Sequence, residues 1–403
     1  MAPVVGLVLS GGGARGAYEV GVLRGLAEAL DLSADGGPLF RVVSGTSVGA
    51  INGAWLVAHA HRADHHVEGL TDAWRGLVLR EHLRVDLLGL MSWLSPFRFF
   101  RQTGAEEDKL GRSVLDPSGL ERLVGRAIDW NRLHANVDAG LVRAFTVAAL
   151  HVGTGVTALF TELAPGVEFR PTRHPRRIVR PARIGAEHVL ASAAIPALFP
   201  ARRIGASHFV DGGLRLNTPI APALRTGAEK LVVISLRHEA VTPPPIDSPE
   251  GEEAYPHPVF LAGKLLNALL LDPVAYDLQV LEGLNRIMEV LDTTLTPAER
   301  ARFDAVLVET RGMSYRTVET LTFEPSEDIA RLAGEHVRAH LGRWQLGRFY
   351  EWLLERASRR DATWESDLAS YLLFDGLWAE TLMALGRRDA LARRDEVRAF
   401  FAR

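Results

Sequence analysis

The stretch "FRVVSGTSVGAING" (residues 40–53) decides the fold. An apolar, β-branched run, Phe40–Ser44, meets Gly45-Thr46-Ser47-Val48-Gly49, and a helix-forming run follows from Val48 to about Ala60. A serine between two glycines, where a buried strand turns into a helix, has the pattern of a nucleophile elbow. The turn is so tight that only hydrogen fits at Gly45 and Gly49, and the Ser47 hydroxyl is lifted to the C-terminal edge of the sheet, at a helix N-terminus. Gly-x-Ser-x-Gly alone arises by chance; its strand-turn-helix setting gives it weight.

Upstream, "LVLSGGGARGAYEVG" (Leu7–Gly21) carries Gly11, Gly13 and Gly16 between a strand, Val4–Ser10, and a helix, Ala14–Leu30. In a dinucleotide site an acidic residue about 20 positions on would close the second strand. Phe40–Ser44 has no acid and runs straight into the elbow, so the glycine loop has another client. Neighbouring strands ending at one edge would aim the Gly11, Gly12 and Gly13 N–H groups and the Arg15 guanidinium at the space above Ser47. There they can hold the oxyanion that forms when a serine attacks a carbonyl.

The base is sought in two Asp-Gly-Gly triplets. Asp35 follows the first helix and precedes the second strand, which puts it at the opposite edge of the sheet. Asp211 ends the strand "SHFVD" and belongs at the Ser47 edge, where burial can raise its pKa toward neutrality. Two rival readings are an α/β-hydrolase triad, since Ser47, Asp211 and His238 stand in the chain order of that fold, and a catalytically silent lipid- or nucleotide-binding module. Against the triad, the elbow comes only one strand and one helix into the chain.

The motifs "SGGGARGAYEVGVL", "GTSVGAING", "ASAAIPALFPA" (Ala191–Ala201) and "FVDGGLRLNTPI" (Phe209–Ile220) resemble, in order and spacing, those of the patatin-like phospholipases. The resemblance spans residues 4 to 340. It implies a Ser47–Asp211 dyad without histidine, an oxyanion site of Gly11, Gly12, Gly13 and Arg15, and hydrolysis of acyl esters of phospholipids, lysophospholipids and simpler lipids without a metal. The implied partner is a lipid or acyl-ester substrate, with no cofactor.

The 403 residues are 47% hydrophobic, with formal net charge -3, which argues against nucleic acid as a partner. Arginine greatly outnumbers lysine, which is found only at Lys109, Lys230 and Lys264, a bias suggesting a bacterial source. The absence of cysteine excludes disulfides and thiolate chemistry and suits the cytoplasm. The N-terminus lacks the basic region of a signal peptide, and no apolar run reaches the ~18 residues of a membrane span, so membrane contact is at most peripheral. Nothing in the sequence sets an oligomeric state.

Alternating strand and helix patterns predict an α/β fold, a three-layer α/β/α sandwich with a mainly parallel or mixed central sheet and patatin-like in its resemblance. "AFTVAAL" (Ala144–Leu150), "LVVISL" (Leu231–Leu236) and "VETLTFEPS" (Val318–Ser326) read as further strands. Residues 1–341 form the catalytic domain in this reading, with a proline-rich loop at 241–258 and a helical segment at 259–292; residues 342–403 form a helical C-terminal appendage. Leu87–Phe100 reads equally as a lipid-facing cap or as core, Arg170–Ile184 as an arginine-rich solvated loop, and His61 and His65 as a helix end rather than a metal pair.

Overall fold

The computed structural model describes residues 3–79, 84–85, 115–116, 118–196, 198–238, 258–270, 272–340, 344 and 366–402. Strand β1 (Val5–Leu9) leads through a 3-10 turn, Gly13–Gly16, into α1 (Ala17–Ala29), and β2 (Val42–Thr46) leads into α2 (Val48–Ala58) and α3 (Val67–Arg75). A short pair, β3 (Arg84–Val85) and β4 (Leu115–Asp116), precedes α4 (Ser118–Ala127) and α5 (Trp130–Asp138). Then come β5 (Ala144–His151), β6 (Thr157–Leu163), β7 (Arg177–Pro181), α6 (Ala186–Ser192), β8 (Arg202–Ile204) and β9 (Ser207–Asp211). After α7 (Ile220–Arg225) and β10 (Lys230–Ile234) follow α8 (Pro258–Leu270), α9 (Asp272–Thr294), α10 (Pro297–Arg311), β11 (Glu319–Phe323) and α11 (Ile329–His340). Three helices close the chain: α12 (Ser366–Leu372), α13 (Gly376–Ala392) and α14 (Arg394–Ala402).

The sheet runs β11-β10-β1-β2-β5-β6-β7, parallel except where β6 turns back against β5. Strand side chains alternate between faces, and the two faces carry separate cores. Leu7, Leu9, Val43 and Ile234 pack with α1 and α2, whereas Val8, Val42, Leu231 and Val233 pack with Ile220 and Ala223 of α7 and Leu281 of α9. This is the three-layer α/β/α sandwich expected from the sequence, with a mixed, mainly parallel sheet.

One register positions the chemistry. Thr46, the last residue of β2, lies across from Ala148 of β5. The next residue of β5, Ala149, lies across from Asp211, the last residue of β9. Strand β9 runs antiparallel to β5 and continues the line of β2, so β2 and β9 meet end to end and bring Ser47 and Asp211 together.

The C-terminal helices are packed into the layer that covers α1. Trp378, Leu382, Met383, Val397 and Phe400 are buried in the same core as Leu7 and Leu9. Gly21 of α1 lies so close to the Met383 backbone that a side chain there would collide with it, and Tyr18 Oη donates to Asp389 Oδ2 (3.0 Å). The helical C-terminal part thus shares the core of residues 1–341; the sequence marks it as helix but carries no local sign of what it packs against.

Two other details differ from the sequence reading. Arg177–Pro181, read as solvated loop, is the edge strand β7, whose exposed Arg180 and Pro181 suit an unpaired edge. His65 is a core residue: it stacks on Phe40, accepts at Nε2 from Phe40 N (3.3 Å), and burial pushes its pKa down to about 4. Among the described residues there is no metal-ligating cluster, and no helix is long and apolar enough to cross a membrane. Leu87–Phe100 and residues 241–257 lie outside the described residues; Pro258 begins α8.

Candidate active site

Ser47 occupies the turn between β2 and α2 with φ 55° and ψ -126°, a conformation that non-glycine residues rarely adopt. The neighbouring packing enforces it: a side chain at Gly45 would strike the Gly49 carbonyl, and one at Gly49 would strike that of Leu9. The Ser47 N–H donates to Ser192 Oγ (2.8 Å), and Ser192 Oγ donates in turn to the Ala148 carbonyl (2.6 Å). Ser192, from the "ASAAIP" stretch, therefore fixes the backbone of the elbow to β5.

The Ser47 hydroxyl donates to Asp211 Oδ2 at 2.7 Å, and Asp211 Oδ1 accepts from the Gly213 N–H at 2.7 Å. Asp211 is fully buried and Ser47 nearly so. Desolvation raises the carboxyl pKa to about 7, opposed by the hydrogen bonds from Ser47 and Gly213 that favour its charged form. His238 is elsewhere engaged: its Nδ1 lies 2.8 Å from the Pro325 carbonyl. Asp35 lies exposed in the loop before β2, at the opposite edge of the sheet from Asp211.

The glycine loop abuts this pair, since a side chain at Gly11 would come within 2.9 Å of Ser47 Cβ. Asn217 clamps Gly11 on both sides, with Oδ1 accepting from the Gly11 N–H (3.0 Å) and Nδ2 donating to the Gly11 carbonyl (3.1 Å). The Ser10 and Thr218 hydroxyls share a bond of 2.9 Å beside it. Gly11 has thus spent its N–H on Asn217, whereas those of Gly12 and Gly13, at the start of the 3-10 turn, have no partner among the described residues. These are the free donors of a helix-like N-terminus.

Arg15 is directed elsewhere than the sequence reading had it. Its Nε donates to Ser370 Oγ (2.7 Å), its guanidinium pairs with Asp367 at 3.2 Å, and it stacks over the Tyr371 ring at 4.3 Å. The cause is α12, which no local pattern places here: a side chain at Gly13, where φ is +58°, would strike the Tyr371 carbonyl. The guanidinium is therefore bound into the cover of the loop.

Ser192 and Asn217 were missed as site residues. Each lies inside a quoted motif, but their partners are 145 and 206 residues away, and only a motif's fixed order hints at such contacts. Beside α2 a small cavity of about 50 Å³ is lined by apolar side chains that include Val48, Ile51, Trp55, Trp74 and Phe374.

Residues 7–224, just over half of the chain, match the patatin-like phospholipase family. The chain belongs to that family. Membership in the patatin-like phospholipases makes lipid hydrolysis the broad function. Among solved structures the chain is similar to VipD from Legionella pneumophila, at 15% identity and TM-score 0.31, covering 93% of this chain and 91% of VipD. It is also similar to human GIVD cytosolic phospholipase A2 in complex with methyl gamma-linolenyl fluorophosphonate, at 14% identity and TM-score 0.34. That match covers 98% of this chain and 60% of the human one, so the chain spans less than two thirds of its length. No curated protein matches the chain.

Proposed function

We propose that this patatin-like protein is a serine lipid acyl hydrolase that works through Ser47 and Asp211 alone. The observation that carries the reading is the 2.7 Å hydrogen bond from Ser47 Oγ to a buried carboxylate, on a serine held in an elbow conformation. In the first half-reaction Ser47 Oγ bonds to the ester carbonyl carbon while its proton passes to Asp211 Oδ2. The carbonyl electrons move onto oxygen, and this oxyanion is held by the Gly12 and Gly13 N–H groups. Collapse breaks the ester bond, and the departing alcohol takes the proton from Asp211. Water then attacks the acyl-Ser47 ester, Asp211 accepts the proton from that water, and collapse releases the carboxylic acid as Ser47 recovers its hydrogen.

A pKa near 7 suits Asp211 to this task, being high enough to take a proton from serine in the transition state and low enough for about half of it to be ionised at neutral pH. Gly11 and Arg15 take positioning roles: Gly11 keeps the loop against Ser47 through Asn217, and Arg15 ties it to α12. The substrate is an acyl ester of a lipid, met at a membrane surface. Labelling with a fluorophosphonate tests the reading. Covalent capture of wild type but not of Ser47→Ala is expected, and equal labelling of both would exclude this nucleophile.

A further inference from the structure

On the sheet face remote from α1 and α2 lies a cavity of about 680 Å³, within the ~300–1,000 Å³ usual for small-molecule sites. It opens between α7, α9, the end of α10 and the segment that enters β7. Its composition is graded. Leu216, Ile220 and Leu281 are buried in its wall, while Arg173, His174 and Arg311 stand exposed and Arg177 and Arg225 are half-buried. The single carboxylate in the lining is Asp277, set against four arginines.

Only part of this charge is offset in the lining, where Asp277 favours the charged form of Arg177. Arg173, Arg177 and Arg311 form no ion pair with any described residue. Arg225 instead braces the walls, donating to the carbonyls of Pro171 and Arg311, the latter at 2.9 Å. Beside it Gly312, the left-handed cap of α10, sits so close to the Pro171 carbonyl that a side chain would collide with it. Burial and the neighbouring Arg177, Arg170 and Arg311 disfavour the charge on Arg225, and burial disfavours that on Arg177, so an incoming anion would relieve both. The inner wall, Leu216–Ile220, is also the segment that carries Asn217 and Thr218 to the glycine loop.

We propose that this cavity is a second lipid site, distinct from the hydrolytic one, which binds a single-chain amphiphile with a phosphate head. The phosphate would meet Arg173, Arg177 and Arg311 at the mouth, and the acyl chain would lie along Leu216, Ile220, Leu224 and Leu281. Apolar wall and cationic mouth together select this class: a free anion would leave the wall unused, and a neutral lipid would leave the arginines unpaired.

Binding of lysophosphatidate below its micellar concentration, measured by calorimetry on the full chain carrying Ser47→Ala, tests the proposal. Turnover is absent there, so failure of the hydrolase reading would leave the result intact. Arg177→Gln with Arg311→Gln is expected to weaken binding about tenfold or more, the scale of lost charge-assisted hydrogen bonds. Ala221→Trp, which fills the cavity from its wall without touching charge, is expected to weaken it similarly. With Ser47 restored, the same substitutions should leave hydrolysis of a short p-nitrophenyl ester within about twofold. Inorganic phosphate and the uncharged monoacylglycerol of equal chain length should each bind at least about tenfold more weakly than lysophosphatidate. Unchanged lysophosphatidate affinity in both cavity variants would overturn the site. Phosphate binding as tightly would remove the chain from it, and monoacylglycerol binding as tightly would remove the arginines.

Discussion

Asp35-Gly36-Gly37 and Asp211-Gly212-Gly213 are the same tripeptide in two places, and their fates differ completely. The first lies exposed in the loop before β2, where Gly37 has nothing near it. The second ends β9: Gly212 is pressed against the Ala148 carbonyl, Gly213 donates to the aspartate, and Ser47 donates to its other oxygen. The chemistry of a carboxylate is thus set by the strand end that delivers it and by the water removed around it. A short motif matters only through the sheet edge at which it emerges.

The largest effect expected is that of removing the partner which only Asp211 has. Ser47→Ala should lower turnover of a soluble p-nitrophenyl ester by about 10⁴-fold or more, the scale seen when a covalent nucleophile is lost, with circular dichroism unchanged. Turnover near that of wild type would exclude Ser47 as the nucleophile.

Next comes pH. A protonated carboxyl cannot accept the serine proton, so the active form of Asp211 is the ionised one. With its pKa raised to about 7 by burial, kcat/KM should fall about tenfold per pH unit below that value and level off above it. A profile flat down to pH 5 would mean that burial does not raise the Asp211 carboxyl.

Arg15 tests whether a residue of the glycine loop acts directly or by anchoring. Arg15→Met should cost about 3 kcal/mol of stability, since it strips a buried partner from Asp367, although Lys264 remains 3.3 Å away. Turnover per folded molecule should drop less than tenfold. A drop in kcat of a hundredfold or more at unchanged melting temperature would make Arg15 an oxyanion donor instead.

The smallest effect is the control. Asp35→Asn should leave both turnover and melting temperature unchanged within error, because its side chain lies exposed at the far edge of the sheet. Any loss of activity in that variant would break the contrast between the two triplets.

Much of this was legible in the sequence because the elbow and the glycine loop are local. Gly45 and Gly49 are demanded by backbone packing at strand ends that β-branched runs announce, and the run of glycines at 11–13 stands at such a strand end too, although what crowds it, Asn217, Leu236 and Tyr371, is distant in the chain. Asp211 was legible too, but for a partly different reason. Its strand was placed at the right edge, whereas β9 in fact meets β2 end to end along β5. What stayed hidden depends on distant contacts. Asn217 and Ser192 are ordinary polar residues until the fold closes, and Arg15 reads as a free cation until α12 arrives with Asp367 and Ser370. The arginines of 170–184 read as solvated because only the packing of α9 and α10 reveals the cavity behind them.

The central claim is that Asp211 takes the Ser47 proton with no histidine between them. Its most direct test is kcat/KM of Asp211→Asn and His238→Ala on one soluble ester, side by side at pH 8, with both proteins shown to be folded. An amide cannot serve as the base, so Asp211→Asn should lose about 10²- to 10⁴-fold. His238, bonded to the Pro325 carbonyl, should cost less than about twofold when truncated. An inactive His238→Ala beside an active Asp211→Asn would contradict the account.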